Sequence, residues 1–129
     1  MKALHPILIV DDEPNQRLLL EQTLRPLAHN HPIITVHSVD AAIACLDTLP
    51  ALVITDYQMP ACDGLALIAH MRNLDLQTSI ILITAYYSPD LHDAARRLRV
   101  DHCLTKPVPL ALLRRLASAA LLSSLAQAA

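Results

Sequence analysis

Four short aliphatic runs limit the folds that are open to this chain. They read ILIV at 7–10, IITV at 33–36, LVIT at 52–55 and IILIT at 80–84. The runs are rich in β-branched residues and do not alternate with polar residues, a pattern typical of parallel strands covered on both faces. We therefore predict four buried strands.

Helical patterns fill the intervals between these runs. We predict five helices. The first ends near Pro26, the second covers 39–49, the third lies around 65–71, the fourth runs from Pro89 to about 98, and the fifth covers about 110–125. Ser38 is a suitable N-cap for the second of them. The piece CLT at 103–105 is predicted as a fifth strand because it lies between two helices. Five strands alternating with five helices indicate an α/β fold with a parallel sheet and right-handed crossovers.

The composition fits one globular domain. Of 129 residues, 53% are hydrophobic and 17% are charged, which is enough apolar surface to close one core. We expect a single domain over 1–129, with its core at about 5–120 and a tail at 121–129 that frays.

Several classes of function are excluded by what the composition lacks. Gly64 is the single glycine, whereas a phosphate-binding loop or a dinucleotide fingerprint needs several. Three tyrosines without Phe or Trp argue against direct nucleic-acid binding on aromatic platforms. Cys45, Cys62 and Cys103 form no CxxC pair, so neither a disulfide framework nor a zinc site is indicated. We expect a cytoplasmic protein without secretory signal or membrane span.

Charge is distributed unevenly along the chain. Residues 1–94 carry four basic and eleven acidic residues, a net charge of −7, whereas residues 95–129 carry six basic residues and one acid, a net charge of +5. We therefore expect an acidic half and a basic half.

Reactive side chains occur where the strands end. They are Asp11, Asp12, Asp56, Thr84 and Lys106. Ligands of open parallel sheets bind beyond the carboxyl ends of the strands, so we expect these groups to converge. Clustered carboxylates repel one another unless a cation shares the site, and Mg²⁺ prefers such oxygen ligands. The pattern predicts a Mg²⁺ site facing a phosphoryl group, with Asp56 as the nucleophile.

The segments ILIVDDEPNQR, LVITDYQMPACDG, IILITAY and CLTKPV resemble the response-regulator receiver domain of two-component signalling. The resemblance runs from about residue 7 to residue 116. It implies a flavodoxin-like (βα)5 three-layer sandwich, doubly wound, with strand order 2-1-3-4-5. It also implies a bacterial phosphoprotein that acts in a phosphorelay. Such a protein is not an enzyme in the usual sense, although it would catalyse its own phosphorylation and dephosphorylation.

The resemblance assigns the metal site and the phosphoacceptor. Asp56 would accept a phosphoryl group from a phosphohistidine on a sensor histidine kinase or a histidine phosphotransfer protein. Asp12, Asp56 and the backbone carbonyl of Gln58 would bind Mg²⁺ directly. Asp11 would act mainly through water.

Two further residues would contact the phosphoryl group by the same resemblance. Thr84 would hydrogen-bond it, and Lys106 would neutralise it. The Lys106–Pro107 bond is usually cis in the family. Helix 4, strand 5 and helix 5 would form the output face, which we expect to bind an acidic partner or to form a homodimer. The arginines expected on it are Arg96, Arg97, Arg99, Arg114 and Arg115.

This chain departs from the family at two positions near that face. Cys103 stands where the family usually has Tyr or Phe, and a small thiol cannot swing an aromatic ring between two packing states. We expect Cys103 to be a buried small hydrophobe, and the usual threonine–aromatic switch to differ. Arg99-Val100 stands where members commonly have Gly-Ala, so we expect a turn of different shape. The glycine that is present, Gly64, is expected in a left-handed turn.

Two variable positions are expected to set the lifetime of the phosphoryl group. Gln58 lies two residues after Asp56, and Tyr86 lies two residues after Thr84. Side chains there would flank the path of an attacking water. We predict that the ring of Tyr86 shields the acyl phosphate and slows its hydrolysis.

Two other functions fit the same residues less well. A Mg²⁺-dependent aspartyl-phosphate phosphohydrolase generally has a second acid two residues after the nucleophile, where this chain has Gln58. A receiver-like interaction module that works without phosphorylation is supported only by the missing aromatic at Cys103.

Overall fold

The fold, taken from a computed structural model, is described for residues 5–128, with side chains for residues 5–124. The strands are β1 (Ile7–Val10), β2 (Ile33–Val36), β3 (Leu52–Asp56), β4 (Ser79–Thr84) and β5 (His102–Thr105). The helices are α1 (Pro14–Leu24), α2 (Val39–Ile43), α3 (Gly64–Asn73), α4 (Pro89–Arg97) and α5 (Leu110–Ala128). Short 3-10 helices cover Arg25–Leu27 and Leu46–Thr48.

The five strands form one parallel sheet in the order β2-β1-β3-β4-β5. This confirms the predicted doubly wound α/β fold and its strand order. The order reverses between β1 and β3, and at such a switch point the loops at the carboxyl edge diverge and leave a crevice.

The apolar runs of the central strands β1, β3 and β4 are continuous because these strands are covered on both faces, whereas the edge strand β2 is only half-buried. Ile7 and Ile9 pack on the side of α1 and α5, whereas Leu8 and Val10 pack on the side of α2 and α3. All four side chains of β1 are fully buried. Alternating residues of one strand thus enter two separate apolar clusters, which is why the sequence shows no polar alternation.

The second predicted helix is shorter than expected. The α-helix begins after the Ser38 cap, whose hydroxyl accepts a hydrogen bond from Ala41 N, but it ends at Ile43 instead of residue 49. Thr48 donates its hydroxyl to the Cys45 carbonyl, which competes with regular helix bonding. Leu49 then takes a left-handed φ of 53° before Pro50, so the helix cannot continue.

The turn after α4 contradicts the expectation of a different shape at Arg99. Arg99 adopts φ 59°, the left-handed conformation that glycine takes freely. Hydrogen bonds compensate for the strain, since Val100 N donates to Ala95 O at 3.0 Å. Arg72 donates to the carbonyls of Leu98 and Arg99 at 2.8 and 3.0 Å. These bonds close the helix end as a glycine cap would.

The last helix extends to Ala128. Fraying of the tail stays a prediction. None of the helices in the described part of the chain combines the length and the apolar character that a membrane span requires.

Candidate functional site

Asp56 lies at the centre of the carboxyl edge of the sheet. It is the last residue of β3 and is buried. Its Oδ2 accepts a hydrogen bond from Nζ of Lys106 at 3.1 Å, and the same two groups form an ion pair. The strand register explains this approach, because Asp56 pairs with Ile83, next to Thr84, and Thr84 pairs with Thr105, next to Lys106.

Asp11 is the most deeply buried acid of the site. Its side chain is 0% exposed, and its Oδ1 accepts a hydrogen bond from Glu13 N at 2.9 Å. Its Oδ2 is buried and has no hydrogen-bond partner among the residues that the structure describes. Burial raises the pKa of Asp11 to about 6; the Glu13 N–H lowers it, and the charge of Asp56 raises it. Metal-free, the site thus holds a carboxyl group that is costly to ionise.

Asp12 completes a cluster of three carboxylates. One oxygen each of Asp11, Asp12 and Asp56 lies within 4.8 Å of the others. Asp12 is exposed, so the cluster opens to solvent on its side. A hard divalent cation held by this cluster would offset the three negative charges, and a water molecule of its hydration shell would satisfy the buried Oδ2 of Asp11. The residues present therefore fit the Mg²⁺ site that the sequence predicts.

Arg17 also belongs to the site, although no sequence pattern predicted it. Its Nη1 donates a hydrogen bond to the Asp11 carbonyl at 2.7 Å. The Glu13 side chain accepts from Asn15 N and Gln16 N and caps α1. Together these contacts fix the turn that aims Asp11 and Asp12. The sequence shows only that an arginine lies about one helical turn into α1, and this position does not indicate which group the side chain would bind.

Thr84 and the loop after it are bonded to each other. Thr84 is buried, donates its hydroxyl to Tyr86 O at 2.9 Å and accepts from Tyr86 N at 3.2 Å. The hydroxyl is thus committed to the β4–α4 loop and is not bonded to Asp56. The Tyr86 side chain is 77% exposed, so its ring does not cover the site in this conformation.

Gly64, in the segment after Asp56, does not adopt the left-handed turn that we expected. Gly64 is the first residue of α3 and has no left-handed backbone; Ala61 has, with φ 70°. Glycine is required for another reason, since a Cβ at this position would lie 2.4 Å from the Asp56 carbonyl oxygen. Gly64 lets the start of α3 approach the acidic strand end. Gln58 is exposed in this loop.

Cys103 is half-buried and packs in the apolar cluster formed with α2 and α3. Burial raises the pKa of its thiol, so the group stays protonated and unreactive at neutral pH. This agrees with the prediction of a small buried hydrophobe. The neighbouring His102 is exposed. An aromatic contact does occur in the neighbouring α4 region, where the rings of Tyr87 and His92 lie with their centroids 5.7 Å apart.

The arginines of the basic segment 95–129 do not lie on one surface. Arg96, Arg97 and Asp93 line a hollow of about 380 Å³ on α4. Arg114 instead donates to Thr23 O of α1 at 3.2 Å, on the other side of α5. The expectation that all five arginines share one face was therefore wrong, because sequence proximity does not fix which neighbour of a helix a side chain reaches.

An open parallel sheet with acids, a hydroxyl and a lysine gathered at its switch point defines a ligand-binding protein of the doubly wound α/β class. The family model of the response regulator receiver domain matches residues 7–118. The chain belongs to this family, and it is a receiver domain of two-component signalling. Receiver domains are signalling domains and not classical enzymes.

Individual proteins that are similar to this chain support the family assignment. The response regulator protein PilR of Pseudomonas aeruginosa is 38% identical over 115 residues, which make up 88% of this chain and 25% of PilR. An uncharacterized 14.6 kDa protein of Leptolyngbya boryana is 38% identical over 113 residues, 84% of each chain. The solved signal receiver domain of a putative LuxO repressor protein from Vibrio parahaemolyticus superposes with a TM-score of 0.86 at 25% identity, over 96% of this chain and 95% of that one.

Proposed function

We propose that this chain is a phosphoryl-accepting switch. In a Mg²⁺-dependent reaction, Asp56 takes the phosphoryl group from a phosphohistidine on a sensor histidine kinase or a histidine phosphotransfer protein. The observation that supports this most directly is a buried carboxylate at a strand end, paired with Lys106 at 3.1 Å and clustered with Asp11 and Asp12. Lys106, together with a divalent cation held by the three acids, would supply the positive charge that a phosphoryl group on Asp56 requires.

In the transfer step, an oxygen of Asp56 attacks the phosphorus atom. The O–P bond forms as the P–N bond to the donor imidazole breaks, and the imidazole keeps the electron pair and becomes neutral on protonation. Bound Mg²⁺ would neutralise the carboxylates and phosphoryl oxygens; Asp12, Asp56 and the Gln58 carbonyl would hold it, with Asp11 acting through water.

Two side chains of the chain then hold the product. Lys106 Nζ, already directed at Asp56, donates to a phosphoryl oxygen. The Thr84 hydroxyl donates to another, and for this it must leave the Tyr86 carbonyl. Because that bond anchors the β4–α4 loop, occupation of Asp56 changes the loop that leads into α4. Gln58 and Tyr86 tune the hydrolysis that resets the switch.

The output face of the switch would comprise α4, β5 and α5. Arg96 and Arg97 are exposed on α4, so this face suits an acidic partner protein or a homodimer. We propose a cytoplasmic location and no direct contact with nucleic acid or membrane. One observation favours the alternative of a module that works without phosphorylation, namely that Cys103 replaces the usual switch aromatic.

The test is incubation with Mg²⁺ and acetyl phosphate, followed by intact-mass measurement. The wild type should gain one phosphoryl group, and Asp56→Asn should gain none. Asp47→Asn, which alters an exposed acid elsewhere, is the matched control and should behave as the wild type. No gain in the wild type, or equal gain in Asp56→Asn or with EDTA, would contradict the proposal.

The dimer is tested with the beryllofluoride mimic of the phosphoryl group, by measuring oligomer size. Mimic-bound protein should dimerise, and Arg96→Glu with Arg97→Glu should prevent this. Unchanged association of that double variant would exclude this face as the interface.

A further inference from the structure

Two neighbouring hollows lie along the side of α5 that faces the end of α1. One, of about 720 Å³, is lined by Leu27, Pro109, Ala111, Leu112, Arg114, Arg115 and Ser118. The other, of about 240 Å³, includes Pro26, His29, Leu121 and Leu122. Both hollows contain Leu27 and Ser118, so they form one depression, which we call the α5 groove.

The α5 groove has the length and apolar content of a helix-binding site. From Leu110 to Leu122 the helix α5 rises by roughly 18 Å, about three turns. Leu122 is 66% exposed at one end, and Leu112 is partly buried at the other. Grooves of this kind bind one apolar face of an amphipathic helix through side chains at i, i+3 or i+4, and i+7.

Charge defines what can fill the groove. Among the described residues that line it none is acidic, whereas Arg114 and Arg115 are both exposed beside its apolar part. The hydrogen bond from Arg114 to Thr23 O keeps that guanidinium on the groove side of α5. A partner helix with acidic residues next to its apolar face would therefore be favoured over a neutral or basic one.

A second copy of this chain fits the groove poorly. A two-fold symmetric dimer brings the same patch of both copies together. The basic patch with Arg114 and Arg115 would then lie against a second basic patch, with no acid among the described lining residues to offset the repulsion.

We propose that the α5 groove docks an acidic amphipathic helix of a partner protein. The apolar side chains of that helix fill the space between Leu27 and Leu112, and its carboxylates pair with Arg114 and Arg115. This surface is separate from the arginines of α4, and it does not depend on phosphorylation of Asp56. The chain therefore presents two basic surfaces that can bind different partners.

The probe is a synthetic amphipathic peptide of about four turns, with leucines on one face and glutamates beside them. The control peptide has every glutamate replaced by lysine. Binding to the ¹⁵N-labelled full chain is followed by backbone amide shifts. The acidic peptide should bind saturably, with shifts concentrated at Leu27, Leu112 and Ser118, and about tenfold or more tightly than the basic peptide.

Matched variants locate the interaction. Arg115→Glu should weaken binding of the acidic peptide about tenfold. Ser118→Trp, which fills the groove, should weaken it similarly. Arg96→Glu with Arg97→Glu, a pair on α4, should leave it within about twofold. Thermal unfolding checks that each variant is folded, and Arg115→Gln replaces Arg115→Glu if the latter is not.

Three outcomes would overturn the proposal. The first is equal binding of the acidic and basic peptides. The second is loss of binding on changing Arg96 and Arg97 but not Arg115. The third is failure of the acidic peptide to bind; if the chain then self-associates through the groove, a second copy is the occupant.

Discussion

Nζ of Lys106 lies 3.1 Å from Oδ2 of Asp56, 50 residues away in the chain. The contact joins the end of β3 to the loop after β5, two strands that are not neighbours, across the carboxyl end of β4. Asp56 is buried, so its carboxylate depends on this ammonium more than a surface acid would.

Lys106→Ala should therefore affect both chemistry and stability. We expect phosphorylation by acetyl phosphate to slow about a hundredfold, because one group that stabilises transferred charge is lost. Unfolding free energy should fall by about 1–3 kcal/mol, since a buried carboxylate loses its partner. Lys106→Arg keeps the charge and should retain most of the stability. Denaturant unfolding and intact mass measure the two effects; an unchanged phosphorylation rate in Lys106→Ala would refute this role.

Asp11 makes the metal-free protein sensitive to pH. Since its pKa is raised from 3.8 to about 6, the folded state binds the proton more tightly than the unfolded chain. Stability from this group is complete below pH 3.8 and is lost as pH rises through about 6. In EDTA at pH 7.5, Asp11→Asn should be more stable than the wild type by up to about 3 kcal/mol.

The same Asp11→Asn comparison has internal controls. The difference from the wild type should vanish near pH 4, and Asp75→Asn, which alters an exposed acid, should not reproduce it. Mg²⁺ should stabilise the wild type more than Asp11→Asn. Denaturant unfolding at several pH values tests this; a constant difference across the pH range would show that Asp11 is not the titrating group.

Gly64→Ala should damage the site through a steric contact. The added Cβ would meet the Asp56 carbonyl oxygen at 2.4 Å, so backbone must move. We expect a loss of about 1–3 kcal/mol in unfolding free energy and slower phosphorylation. Ala66→Gly, the reverse change two residues further along α3, should cost about 1 kcal/mol and leave phosphorylation unchanged. Full stability in Gly64→Ala would show that the backbone accommodates the methyl group.

Arg99→Gly should stabilise the turn after α4. Glycine adopts the left-handed backbone at φ 59° without strain. The change also removes a positive charge; burial and, to a smaller extent, the charge of Arg99 lower the pKa of Arg72. We expect a gain of roughly 0.5–1 kcal/mol in unfolding free energy. Arg96→Gly, the same chemical change inside α4, should instead lose about 1 kcal/mol. Thermal or denaturant unfolding decides, and equal losses in both variants would exclude strain at Arg99.

Tyr86 is expected to control the lifetime of the phosphorylated state. Its ring is 77% exposed in this conformation, so shielding of the acyl phosphate requires the ring to move over Asp56 once Thr84 releases the loop. Tyr86→Ala should then lose phosphate several times faster, about threefold to tenfold, whereas Tyr86→Phe should match the wild type. The decay is followed by intact mass after removal of acetyl phosphate. Equal lifetimes of all three proteins would exclude shielding by the ring.

The amino-acid sequence was sufficient to predict the apolar strands and the edge of the sheet that carries the reactive groups. A run such as that of β1 must be covered on both faces because every side chain in it is apolar, and this requires a parallel sheet with helices on each side. The carboxyl ends of parallel strands lie at one edge of the sheet, so Asp11, Asp56 and Thr84, at the ends of three strands, lie at that edge. These conclusions need only local periodicity and the order of elements, which are properties of the chain itself.

The way in which those groups are held depends on packing between distant segments, which local sequence does not encode. The unpaired Oδ2 of Asp11, the contact that requires Gly64 and the bond from Arg114 to Thr23 each depend on distances between segments far apart in the chain. Arg99 shows the same limit, since its strain is tolerated because Arg72 reaches it from another helix. Local sequence gives a residue its preferences, but packing decides which neighbours it meets and so which preference prevails.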